Sequence, residues 1–133
     1  MLDKVGFSFQ QSKDVIGADQ SLYGLDYHYT IGALTLQGEA TFSDISHNGT
    51  AQARDTEWGA YAATSYALSE NWSVYGWYET FADRTSPSVA HDLLFGIAFR
   101  PIPAMVFRAE YVQNLGGRPV NPTGFLASWA VLF

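Results

Sequence analysis

Cysteine is absent from the chain, which removes disulfide frameworks, thiolate metal sites and thiol nucleophiles together. Positive charge is scarce: seven Lys and Arg stand against thirteen Asp and Glu, a formal charge of −6. That is the wrong sign for a protein that neutralises a phosphate backbone, and it argues against nucleic acid as a partner. Charged residues of both signs make up only 15%, against roughly 25% in ordinary soluble domains. No apolar run reaches the roughly 18 residues that a membrane-spanning helix needs. The opening Met1-Leu2-Asp3-Lys4 lacks the basic stretch and apolar core of a secretory signal. If the protein is exported, a mature chain or a piece of a longer one is expected.

What the chain has in abundance is aromatic rings: four Trp, eight Tyr and nine Phe, or 16% of 133 residues. A disordered segment would show the opposite bias, and the length suits one domain. Nearly every apolar stretch alternates. Val5, Phe7 and Phe9 recur around Gly6 and Ser8; Tyr23, Leu25, Tyr27 and Tyr29 around Gly24, Asp26 and His28. Leu34, Leu36, Ala40 and Phe42 oppose Thr35, Gln37, Glu39, Thr41 and Ser43, and Trp58, Ala60, Ala62 and Tyr66 oppose Glu57, Gly59, Tyr61 and Ser65. The stretch from Trp72 to Phe81 is the least regular, because Tyr75 and Trp77 share a face with Ser73 and Glu79. Leu93, Phe95, Ile97 and Phe99 oppose Asp92, Gly96 and Arg100; Met105, Phe107, Ala109 and Tyr111 oppose Arg108 and Glu110. The last stretch groups Phe125, Ala127, Trp129, Val131 and Phe133. A period of two places one residue class on each side of a sheet. Eight strands and no helix are predicted.

The connections alternate in length. Tight turns fall at Gly32-Ala33, at Ser69-Glu70-Asn71 and at Pro101-Ile102-Pro103. Longer polar ones run from Gln11 to Gln20, Asp44 to Asp55, Asp83 to Ala90 and Leu115 to Pro122. An antiparallel up-and-down meander follows, with every long loop at one end. Alternation alone does not say which face is inside. A membrane barrel is favoured because strands of this length match a tilted bilayer crossing, with short turns on one side and long loops on the other. Aromatics also cluster towards both ends of the apolar stripe. Tyr29, Tyr66, Trp72, Phe99 and Phe133 are expected near the short turns, and Tyr23, Phe42, Trp58, Phe125 and Phe9 near the long loops. That is the arrangement of rings at two lipid–water boundaries. A closed transmembrane β-barrel of eight strands is predicted over 1–133, facing membrane lipid, since open edges do not survive in hydrocarbon.

The tail from Gly124 to Phe133, alternating apolar residues that end in Trp129, Val131 and Phe133, resembles the last strand of Gram-negative outer-membrane β-barrel proteins. There the terminal residues form the signal that the barrel assembly machinery reads. Ser128 stands where that signal often has Gly, and Leu126 where it often has a polar residue. The stretch from Phe99 to Tyr111, with its Pro-x-Pro, resembles the penultimate hairpin of porins. Gly24-Leu25-Asp26-Tyr27 and Gln37-Gly38-Glu39 resemble internal strands of larger ones, including the phosphate-selective type. The resemblance implies a location in the bacterial outer membrane and passive diffusion of small hydrophilic solutes or ions. It also implies a chain that is either a complete barrel or the C-terminal half of a wider one, and it leaves a homo-oligomer open.

Parity assigns the lumen. Asp26, His28, Gln37, Glu39, Glu57, Glu79, Asp92, Arg100, Arg108 and Glu110 are expected on the polar face. Across the turns, Asp26 is predicted opposite Glu39, His28 opposite Gln37, Tyr61 opposite Glu79, Arg108 opposite Gly96 and Glu110 opposite Leu94. Six carboxylates against two Arg favour cations by local potential; the Lys and Arg ladder of an anion path is missing. No Tyr or Trp is given a role beyond the belts. His47 with Ser46, and His91 with Asp92, could supply a base and its orienter. Adjacent residues on a strand point to opposite faces, however, so His91-Asp92 is not itself a dyad. His28 with Asp26 sits near the short-turn end, the wrong place for a surface-exposed active site. No catalysis, no cofactor and no metal are expected. Two alternatives stay open: a self-contained eight-stranded barrel with a structural or adhesive role through its loops, and a soluble lipocalin-like carrier of an apolar ligand.

Overall fold

The computed structural model describes residues 4–13, 18–46, 55–117 and 121–132. These residues form one antiparallel sheet and no helix. Its strands are β1 (Lys4–Lys13), β2 (Asp19–Ile31), β3 (Leu34–Ile45), β4 (Thr56–Ala67), β5 (Trp72–Ala82), β6 (Ala90–Ile102), β7 (Met105–Gly117) and β8 (Gly124–Val131). Spatial order follows chain order from β1 to β8. The eight strands and their antiparallel meander are as the sequence predicts, but the long connections are shorter than expected: Gln11–Lys13 and Asp19–Gln20 continue the β1–β2 ladder, and Leu115–Gly117 belong to β7.

Three hairpins fix the short-turn end. Gly32 takes a left-handed φ of +58°, which a two-residue turn of the II′ kind requires at its first central position and which glycine adopts without strain. Between β4 and β5, the Ser69 hydroxyl accepts from the backbone N–H groups of Trp72 at 3.2 Å and Asn71 at 3.4 Å. The β6–β7 hairpin closes at Pro103-Ala104, with Ile102 across from Met105. This corrects the predicted register. Arg108 lies opposite Ala98, and Glu110 opposite Gly96. The turn lies at Pro103-Ala104 instead of around Ile102, and an irregularity between Phe99 and Ile102 takes one residue back, which leaves a net shift of two and keeps the facing. Pro101 has no N–H for the ladder, and such residues collect at bulges, so the turn moves past the first proline to the second. The other predicted cross-turn pairs, Asp26 with Glu39, His28 with Gln37 and Tyr61 with Glu79, are found.

The sheet is not closed. Among the described residues β1 pairs only with β2, β8 only with β7, and strand pairing links sequence neighbours alone. The prediction of a barrel complete within these eight strands is corrected on this point. Alternation along each strand fixes which residues share a face, but it carries no information on curvature or on pairing between the two ends of the meander.

Nor does the sheet enclose an apolar core. Among the described residues the buried hydrophobic ones are Ala18, Ile45, Ala82, Ala90, Ala98 and Val112, and no large side chain is fully buried. One face instead presents an uncovered apolar surface from β1 to β8, including Phe7, Leu25, Val74, Phe95, Ile97 and Phe107, with Phe125 86% and Trp129 70% exposed. The accessible surface is 8845 Å², where a compact soluble monomer of 14.7 kDa has about 6,900 Å². The excess is that of a single layer. Rings collect towards both ends of the apolar face. Phe9 meets Tyr23 at 5.1 Å and Tyr23 meets Phe42 at 6.5 Å between centroids, with Trp58 next in register. Towards the short-turn end Trp72 stacks on Phe99 at 4.5 Å and Phe107 and Trp129 continue that row, while Tyr66 lies one row away, level with Val74 and Ile97, and Tyr29 two rows away, level with Gly76 and Phe95. Phe125 packs on Tyr111 at 4.9 Å, and Phe133 lies outside the described residues.

Candidate functional site

The chemistry-bearing side chains share the other face. Reading across the strands, one row runs Gly6, Asp26, Glu39, Tyr61, Glu79, Asp92 and Asn114, each directly opposite the next. Neighbouring strands lie about 4.8 Å apart, so carboxylates occupy adjacent places twice in this row, with Tyr61 between the pairs. Two unit charges at about 5 Å repel by roughly 0.8 kcal/mol in water and by about 3 kcal/mol at an effective dielectric of 20. Among the described residues none of these carboxylates forms an ion pair with Lys or Arg; Lys13 and Asp19 pair at 3.5 Å at the end of β1. Arg108 lies three rows away, opposite Ala98 and Ser128, and Arg100 further towards the short turns, its backbone N–H donating to Asn71 O at 2.8 Å.

Neutral donors hold most of the carboxylates instead. Asp92 is almost completely buried and accepts from the side-chain amides of Asn114 at 2.9 Å and Asn121 at 2.8 Å. The second bond ties the connection after β7 down onto the polar face. Trp77 Nε1–H donates to Glu79 at 3.1 Å, and the Arg84 backbone N–H to Glu57 at 3.3 Å. Tyr75 Oη–H donates to Glu110 at 2.5 Å. That last bond reaches over an intervening strand. Tyr75 on β5 crosses above Gly96 on β6 to meet β7, and a Cβ at Gly96 would collide with the ring. Asp26 and Glu39 remain exposed. His28 lies opposite Gln37, with Thr30 Oγ1 at 3.4 Å from its Nε2. All ten residues predicted for the polar face lie on strands, nine of them at paired positions of that parity and Arg100 within the irregularity between Phe99 and Ile102.

The structure adds what parity alone had not brought out. Tyr61 and Trp77 stack face to face at 4.2 Å with 7° between planes, so aromatic rings of the polar face are supports for carboxylates, and the prediction that Tyr and Trp act only as belts is corrected. The available signal was an aromatic residue and a carboxylate two apart on the irregular fifth strand, Trp77 and Glu79, together with a glycine opposite Tyr75. Two depressions border the row. One of about 240 Å³ is lined by Glu39, Thr41, Gly59, Tyr61, Glu79 and Phe81. The other, about 310 Å³, has walls of Trp77, Leu94, Val112 and Leu126 with Glu79 and Asp92 beside them.

Of the described histidines, His28 and His91 lie on opposite faces of the sheet. His91 is on the apolar face, its Nδ1 3.1 Å from Tyr78 Oη, while Asp92 points to the other side. His47 and the Asn48-Gly49-Thr50 triplet lie outside the described residues. Among the described residues no three His, Asp or Glu side chains come together as metal ligands. No family model, curated protein or solved structure matches the chain.

Proposed function

We propose that the chain forms a wall of an outer-membrane porin-like channel, with its apolar face against lipid and its acidic row against water, passing small hydrophilic solutes with a preference for cations. The observation that carries the reading is the uncovered apolar face. A soluble monomer seldom leaves an apolar patch larger than a few hundred Å² in water, and here the whole side of an eight-stranded sheet is apolar and ringed. Hydrocarbon is the solvent in which that surface is stable, and water on the opposite side satisfies the exposed carboxylates of Asp26 and Glu39. In such a channel the mechanism is solvation and electrostatics with no covalent step: adjacent carboxylates raise the local concentration of cations and lower that of anions.

The test is reconstitution. The purified chain refolded with detergent and added to a planar bilayer is expected to give stable current steps whose reversal potential in a salt gradient lies on the cation side. A chain that is monodisperse in buffer without detergent, and that carries no current, would falsify the reading and favour a soluble sheet with an unidentified cover. Stable insertion without current would instead favour the structural or adhesive barrel.

A further inference from the structure

One patch of the polar face breaks the alternation that most of the sheet keeps. Leu94 on β6, Val112 on β7 and Leu126 on β8 stand at polar-face positions, where a period of two calls for polar residues. Trp77, Leu94 and Val112 lie directly opposite one another on β5, β6 and β7, and their row ends at Gly124 on β8. Leu126 follows one same-face step away, across from Glu110. Contact with lipid does not account for these residues, because they lie on the wrong side. Packing against a second layer does not either, because the described residues form a single sheet. Together with Trp77 they wall the depression of about 310 Å³, a volume within the roughly 300–1,000 Å³ of small-molecule pockets. The Trp77 ring is held in place as a wall by Tyr61 against its face at 4.2 Å and by its Nε1–H bond to Glu79 at 3.1 Å.

We infer that this depression binds an amphipathic organic cation, an ammonium group on a short alkyl arm from an aromatic ring. The inference rests on the reading above in taking the acidic side as the wet one, and it names the class of solute that this part of the wall retains. Charge complementarity selects the occupant. Glu79, Asp92 and Asn114 form a row beside the apolar one, a single same-face step away, or about 7 Å along the strands. That spacing suits a ring over the apolar row and an ammonium at the carboxylates. Asp92 is 4% exposed, and its partners are the neutral amides of Asn114 and Asn121. The neutral Trp77 indole donates to Oε2 of Glu79, so Oε1 is the acceptor for the ammonium. Neither carboxylate has a counter-charge among the described residues, and a buried charge without one is costly. A cation in the depression supplies it. A neutral ligand leaves that charge uncompensated, an anion is repelled by both carboxylates, and a small inorganic cation leaves the apolar walls against water.

The test is equilibrium dialysis of the full chain, refolded in detergent that covers its apolar face, against phenethylammonium, with empty micelles as the blank. Methylammonium carries the charge without the body, phenethyl alcohol the body without the charge, and phenylpropionate the body with the opposite charge. Phenethylammonium is expected to bind at one site per chain, about tenfold or more tighter than each of the three, the factor that a hydrogen bond to a charged group contributes. Glu79→Gln keeps an acceptor for the indole and should weaken it about tenfold. Leu126→Ser, at the rim of the depression, should weaken it about three- to tenfold through lost apolar contact. Glu70→Gln removes the same charge from the β4–β5 turn and should leave the affinity unchanged. Equal affinity for phenethylammonium and methylammonium means that the potential of the acidic row acts alone, and overturns the inference. Equal affinity for phenethylammonium and phenethyl alcohol, or equal losses in Glu79→Gln and Glu70→Gln, overturns it too. The four-ligand comparison uses the unsubstituted chain, so it decides even where a variant fails to refold. Selective binding by a chain that carries no current keeps this inference and removes the channel. A cation-selective current with no such preference among the ligands keeps the channel and removes this inference.

Discussion

Gly96→Ala is the most informative single substitution in the sheet, because one methyl group acts through three strands. Its Cβ would occupy space taken by the Tyr75 ring, which crosses β6 at that point to reach Glu110 on β7. Displacing the ring removes a charge-assisted hydrogen bond worth about 1.5–3 kcal/mol and forces Tyr75 off its preferred rotamer at about 1 kcal/mol. Both side chains are part-buried, which puts the sum at the lower end of about 2–4 kcal/mol. With a urea dependence of about 1–3 kcal/mol/M, the unfolding midpoint is expected to fall by about 1 M. Trp fluorescence follows it, since Trp77 lies in the same strand as Tyr75. The decisive comparison is a double-mutant cycle. In a Tyr75→Ala background the methyl group meets empty space, so Gly96→Ala should cost almost nothing there. An equal penalty in both backgrounds would refute the bridging role and reduce Gly96 to an ordinary strand glycine.

Three further outcomes follow from the two faces. Phe95→Lys places a charge in the middle of the apolar face and should cost about 2–4 kcal/mol of folding in a bilayer, as at the midplane of membrane barrels; refolding yield into vesicles measures it, and an unaffected yield would contradict a lipid-facing side. Glu39→Lys breaks the acidic row at an exposed carboxylate and should move the reversal potential towards anions, whereas Glu110→Lys, which also severs the Tyr75 bond, should combine a similar shift with lower stability; unchanged selectivity in both removes the acidic-row mechanism. Asp92→Ala leaves the amides of Asn114 and Asn121 without their acceptor, at about 1–3 kcal/mol for buried donors left unmade; cleavage between β7 and β8 by limited proteolysis should accelerate ahead of cleavage elsewhere, and a uniform acceleration would argue against a local tether.

Much of this sheet is legible in the sequence because a period of two is hard to mistake. The β2–β3 and β4–β5 registers could be read from parity since their turns lack proline, and glycine at position 32 marks its own bend. The β6–β7 register could not, because two prolines compete for the turn and only backbone hydrogen bonding decides that Pro103, not Pro101, takes it. The polar face was legible as a set of carboxylates. Its row-wise order from Asp26 to Asn114 was not, since that order depends on five successive registers, of which the two across long connections leave no local mark. The edges escaped for a different reason. Whether β1 meets β8 depends on sheet coil summed over eight strands, a quantity to which no single residue is committed.

The neighbour-only pairing of the strands has a mechanical corollary. With no central core linking distant parts, cohesion passes along the chain from hairpin to hairpin, as it does between the units of a solenoid. A lesion in the β6–β7 hairpin should therefore weaken its flanking strands and leave the pairing of β1 to β3 nearly intact. For the same reason whole hairpins are the natural units of gain and loss in such a wall: inserting or deleting one shifts the circumference by two strands and preserves the facing of every residue elsewhere.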